Sequence, residues 1–198
     1  YDVRGNVVET RRSAAGEADL VQSSVYDQLG QLTETTNELG FATRYFHGAN
    51  VGGEWIETTL NPDNSIHVET YYRDGQLLAA TGTAVNPVCY AYGVDVDGQY
   101  TIEYRGPTTN AAEWVQTWVD MLGRTAKVAY PDGYSRRFFF DGAGRQVRTS
   151  DGFATALTEY NGKGEAWRSA VDMDGNNLID PGGADRITEA ESFCETVD

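Results

Sequence analysis

A short pattern that reverses the chain recurs along this sequence, and it restricts the fold more than any other feature. Tyr1-Asp2-Val3-Arg4-Gly5-Asn6 opens the chain, and Tyr26-Asp27-Gln28-Leu29-Gly30-Gln31 repeats the pattern. Val119-Asp120-Met121-Leu122-Gly123-Arg124, Phe140-Asp141-Gly142-Ala143-Gly144-Arg145 and Tyr160-Asn161-Gly162-Lys163-Gly164-Glu165 follow. An Asp or Asn side chain can bond the backbone of a turn, and Gly reaches the left-handed region without a Cβ clash. The glycines at 5 and 30 lie 25 residues apart, and those at 123, 144 and 164 lie 21 and 20 apart. Repetition at this period predicts units that each bury a face against their neighbours.

Between the turns the sequence alternates with the two-residue period of a strand. Thr125, Lys127 and Ala129 interleave with Ala126, Val128 and Tyr130, and Pro131-Asp132-Gly133 turns the chain into an aromatic strand over 134–140. Strands are also expected over 7–12, 21–26, 31–36, 43–46, 76–81, 88–92 and 99–104. Residues 55–60 and 66–72 form a hairpin around Asn61-Pro62-Asp63-Asn64-Ser65, and 114–119 alternates as a strand. Ser13-Ala14-Ala15-Gly16-Glu17 separates two strands, Asp95-Val96-Asp97-Gly98 is a turn, and residues 47–53 are expected to be a flexible connection. With 22 Gly, 12 Tyr and only 5 Pro, the composition favours short strands and tight turns over helices.

The five cassettes resemble the Rhs or YD-repeat family, whose unit reads roughly aromatic-Asp-x-x-Gly-Arg followed by a strand. The likeness covers residues 1–35 and 119–170, with Val119 in place of Tyr and Asn161 in place of Asp; Tyr71-Tyr72-Arg73-Asp74-Gly75-Gln76-Leu77 resembles a contracted variant. The resemblance implies an all-β array of antiparallel hairpins in a curling sheet, part of a larger shell. It also implies a secreted or cell-surface parent chain whose shell encloses a C-terminal effector or toxin domain. The expected layout is one segment of a repeat array: repeats over 1–46, irregular repeats with longer loops over 47–118, and regular repeats plus an acidic loop over 119–198.

A net charge of −15 leaves no basic stripe for nucleic acid. No run of about 18 apolar residues exists to span a membrane as a helix. The acidity reads as solubility of a secreted protein. Cys89 and Cys194 match no metal or redox spacing, and two buried thiols are expected rather than a disulfide.

The sharpest chemical candidate is Asp172-Met173-Asp174-Gly175-Asn176-Asn177-Leu178-Ile179-Asp180. Asp172, Asp174, Asn176, the Leu178 carbonyl and Asp180 stand at loop positions 1, 3, 5, 7 and 9, the spacing by which Ca²⁺ loops wrap the ion. Two places depart from that pattern. Asn177 takes the usual Gly position, and Gly183 takes that of the bidentate Glu, with Asp185 two residues on. A turn-rich connection explains the same residues without a metal. Asp180-Pro181-Gly182-Gly183 partly resembles the Asp-Pro-x-Gly step at which some Rhs proteins cut themselves, but it lacks the following Leu, and a plain turn is expected.

No catalytic constellation stands out, so the expectation is a non-enzyme. His47 and His67 adjoin no nucleophile, and His67 is expected to face solvent. Glu54 with Glu57, or Asp95 with Asp97, could pose as acid/base pairs, but glycoside hydrolysis needs them across a cleft. Trp55, Trp114, Trp118 and Trp167 are expected to pack within the sheet. Their alternative is a sugar-stacking surface, which would make the chain an extracellular carbohydrate- or cell-surface-binding module; a carbohydrate-active enzyme is a third possibility.

Overall fold

The computed structural model describes residues 1–13, 15 and 17–190, so Cys194 and parts of the 13–17 connection lie outside the described residues. The chain is all-β, with no helix among the described residues and therefore none long and apolar enough to cross a membrane. The first eight strands are β1 (Glu9–Arg12), β2 (Leu20–Tyr26), β3 (Leu32–Thr36), β4 (Ala42–Ala49), β5 (Trp55–Leu60), β6 (Ile66–Tyr71), β7 (Leu77–Gly82) and β8 (Val88–Asp95). The second eight are β9 (Gly98–Tyr104), β10 (Trp114–Val119), β11 (Thr125–Ala129), β12 (Ser135–Phe140), β13 (Gln146–Ser150), β14 (Thr155–Tyr160), β15 (Ala166–Asp172) and β16 (Arg186–Glu189). Their order in the antiparallel sheet is their order in the chain. Two compact units result: residues 1–91 with 103–112, and residues 92–102 with 113 onward.

One turn closes most of the hairpins, and it is the cassette read from the sequence. Asp141 N–H donates to the Arg145 carbonyl at 2.9 Å, and Gly144 N–H returns to the Asp141 carbonyl at 3.0 Å. Gly144 sits at φ +83°, and the β12–β13 register slips between Phe139 and Phe140. This is a tight turn followed by a glycine bulge, which adds twist to the hairpin. The Asp141 carboxylate locks it: Oδ1 accepts from Ala143 N and Arg145 N, both at 2.9 Å. Oδ2 accepts from Arg145 Nε at 2.8 Å and Nη2 at 2.7 Å.

The first unit builds the same backbone ring at Asp2, Asp27, Asn37, Asn50, Asn61 and Tyr72, and the second unit at Asp120, Tyr130, Asp141 and Asn161. The turn therefore continues through the stretch where the sequence pattern is faint. Residues 47–49, expected in a flexible connection, instead extend β4, pairing His47 with Glu57 and Ala49 with Trp55. The strand can run on because Asn50 Oδ1 accepts from Gly52 N and Glu54 N at 2.9 and 3.1 Å, while Gly53 takes φ +79°. At Asn61 the left-handed position belongs to Asn64, at φ +63°, a residue type whose short polar side chain tolerates it.

Each unit is a thin structure. The first buries a single apolar side chain, Cys89, among its described residues, and the second buries Trp118, Leu157 and Ala170. Burial pushes the Cys89 thiol pKa up, as an inert packing cysteine requires. The apolar residues at the turn tips lie open: Val3, Leu29 and Val51 in the first unit, Val96 and Met121 in the second. Trp118 packs instead of presenting a ring to solvent. Its indole N–H donates to both Asp95 oxygens at 3.0 Å, and Lys127 Nζ sits 4.3 Å over the ring.

Candidate functional site

β15 ends at Asp172, a residue buried to 8% exposure, and the chain then loops through 173–185 before β16. Asp172 Oδ1 accepts from Gly175 N at 2.7 Å, and Oδ2 from Asn177 N at 2.9 Å. Asn177 adopts φ +63°, the left-handed turn that the loop needs at this point. Desolvation acts to raise the Asp172 pKa, yet the N–H groups of Asn177 and Gly175 outweigh it and hold the carboxyl below its ordinary value. Asp185 closes the far side, its Oδ1 accepting from Met173 N at 2.9 Å and its Oδ2 from Asp180 N at 3.1 Å.

The acidic residues thus converge, with a membership different from that of the linear spacing. Oxygens of Asp172, Asp174 and Asp185 all lie within 4.8 Å of one another, a separation that a cation with 2.3–2.6 Å bonds can bridge. Asp180 stands apart from this trio. Its carboxylate accepts the Asn176 side-chain amide at 2.5 Å, while Asn176 also donates to Asp174 at 3.0 Å. Asn176 Oδ1 is occupied by Leu178 N–H at 2.7 Å. Asp185 was noticeable in the sequence only as a neighbour of the empty Glu position. What recruits it is the loop's compact fold, in which Gly183 N–H bonds the Asp180 carbonyl at 3.0 Å. The Asp180-Pro181-Gly182 step is therefore a turn.

The same loop lays Leu178 and Ile179 along a cavity of about 640 Å³, whose floor includes Phe139, Leu157, Tyr160 and Trp167. Arg148 fastens it, with Nη1 2.6 Å from Asn177 Oδ1 and the guanidinium 3.6 Å over the Phe139 ring. Trp167 carries Arg168 over its ring at 4.0 Å.

The other carboxylates singled out in the sequence serve the sheet. Asp97 bonds Lys127 Nζ at 2.7 Å and Arg137 Nη2 at 2.9 Å, and these two, Lys127 first, hold its pKa low. Glu54 accepts the Asn50 amide at 2.6 Å, and Glu57 the Trp55 indole at 3.1 Å. His67 keeps 33% of its side chain exposed, with its Nε2 3.7 Å from Glu69.

No protein-family model matches this chain, and no curated protein matches it. Solved structures do share the fold. The crystal structure of TcdB2-TccC3-Cdc42 superposes with a TM-score of 0.53 at 12% identity, covering 88% of this chain. That of TcdB2-TccC3 does so with a TM-score of 0.53 at 13% identity over the same share. In both, this chain spans 10% of the length of the chain it resembles.

Proposed function

We propose that this chain is a non-catalytic wall segment of a larger Rhs-like protein, secreted or exposed at the cell surface, whose curling β-shell encloses a C-terminal effector or toxin domain. The observation that carries this reading is the thinness of each unit. A stable domain normally buries the face of one layer against another. Among the described residues a lone apolar side chain is buried in the first unit and three in the second, while apolar turn tips stand open to solvent. Such a sheet gains stability when further repeats stack against it, as in other repeat proteins. The cassettes that resemble the YD repeat, and the fold shared with TcdB2-TccC3 chains, support a toxin-related structural role.

The loop of Asp172, Asp174 and Asp185 is part of the proposal as a weak Ca²⁺ site that fixes the path from β15 to β16. The wall reading is tested by purifying the parent protein and treating it with protease before and after unfolding the sheet in urea. A C-terminal domain resistant before and cleaved after is the expected result. Equal cleavage in both states would refute enclosure.

A further inference from the structure

The hairpin of β5 and β6 carries side chains that neither the repeat turn nor the acidic loop accounts for. Trp55 pairs with Tyr71, Glu57 with Glu69 and Thr59 with His67, and β4 sets His47 opposite Glu57. Directly paired residues share a face of the sheet, and like charges so placed repel. Other strand glutamates have arginine partners, as Glu34 has Arg44 at 2.8 Å and Glu159 has Arg168 at 3.2 Å. Among the described residues neither Glu57 nor Glu69 pairs with Lys or Arg. Their nearest basic atoms are His47 Nδ1, 4.0 Å from Glu57, and His67 Nε2, 3.7 Å from Glu69.

Aromatic donors hold the two carboxylates instead. Trp55 Nε1 donates to Glu57 Oε1 at 3.1 Å, and the Tyr71 hydroxyl to Glu69 Oε2 at 2.8 Å. The bond to Glu69, with burial, pushes the Tyr71 phenol up to about 12, so it remains a donor at neutral pH. A cavity of about 610 Å³ opens against Trp55, Glu57, Tyr71, Tyr72 and Arg73. Arg73 belongs to the neighbouring turn, donating to the Gly52 carbonyl at 2.7 and 3.2 Å.

A ring face is negative and a carboxylate more so, and the two together favour a cation on an apolar stem. A neutral sugar would stack on the rings but would leave the repulsion of Glu57 and Glu69 unrelieved. A chain of net charge −15 also draws basic partners toward it. We propose that the Trp55–Glu57–Glu69–Tyr71 face binds the ammonium-bearing side chain of a lysine in a basic polypeptide segment.

The test uses the 198-residue chain and two peptides, acetyl-Gly-Gly-Lys-Gly-Gly-amide and its norleucine counterpart, titrated by calorimetry. The lysine peptide should bind at least about tenfold more tightly than the norleucine one. Glu57→Gln and Glu69→Gln should each weaken it by about tenfold while holding or raising Tm, since the opposed pair is gone. That Tm readout separates lost binding from lost fold. Equal binding of the two peptides, unchanged affinity in both Gln variants, or binding of a neutral oligosaccharide in place of the lysine peptide would overturn the proposal.

Discussion

Arg145 lies 4.6 Å from the ring centroid of Tyr160, which begins the next cassette, while its guanidinium stays bonded to Asp141 of its own. Arg124 repeats the arrangement one step earlier, 4.3 Å over Phe140 and paired with Asp120 at 2.6 Å. The aromatic, the Asp and the Arg of the pattern are thus one device: the carboxylate aims the guanidinium, and the guanidinium covers the following strand end. A double-mutant cycle of Arg145→Ala and Tyr160→Leu, followed by chemical denaturation, should give a coupling of about 0.5–1 kcal/mol. Strict additivity would show the stacking to be incidental.

Gly144 and Gly164 sit at φ +83° and +85°, where a side chain is strained, although a Cβ there would meet its neighbours only at 3.5 and 3.7 Å. Gly144→Ala and Gly164→Ala should each cost about 1 kcal/mol through the backbone alone. Gly142, in the same turn, has open space around it and no left-handed φ. Gly142→Ala should change stability by less than about 0.5 kcal/mol. Urea melts of the three variants check the contrast.

Stability should fall in acid, and the turn carboxylates set the window. Asp120 is held below its ordinary pKa first by the Arg124 side chain, Asp141 first by the Arg145 N–H, and Asp2 first by the Asn6 amide. A folded pKa below the unfolded one gives stabilisation that is complete above the unfolded value of about 3.9 and lost as pH falls through the folded one. Tm measured from pH 6 to pH 2 should therefore drop below about pH 4. Asp141→Asn should flatten part of that slope, because the amide oxygen can still accept the turn N–H bonds, as Asn161 does from Lys163 and Glu165 at 2.9 and 3.0 Å.

Calcium titration should distinguish the folded loop from its linear spacing. Wild type is expected to bind with a Kd of about 10⁻⁴–10⁻³ M, because a bidentate Glu is missing. Asp174→Asn and Asp185→Asn should weaken binding, and Asp180→Asn should leave it nearly unchanged, since Asp180 lies outside the carboxylate trio. Identical heats from wild type and Asp174→Asn would remove the metal from the account.

Much of the fold was legible because the turn is specified within five residues. Asp or Asn first and Gly fourth stand in most of the backbone rings, so strands could be placed between them. The turn at Asn50 was hidden because Gly48, Gly52 and Gly53 together look like a loose linker, yet only Gly53 takes the left-handed position. Its fifth residue, Glu54, replaces Arg because Asn50 donates an amide where Asp would accept a guanidinium. The site was less legible because it depends on register and on loop path. Glu57 and Glu69 oppose each other only once the Asn61–Ser65 turn fixes which residues pair, and Asp185 joins Asp172 only after the loop doubles back.

Strand order that follows chain order also has a bearing on how the protein is made. Among the described residues each strand pairs with the one just before it, so a strand emerging from the ribosome meets a partner already present. Structure of this kind can begin at any hairpin and spread by addition, without a distant segment having to return. Synthesis itself then supplies the folding sequence, and loss of one hairpin shortens the sheet while its neighbours keep a surface on which to pair.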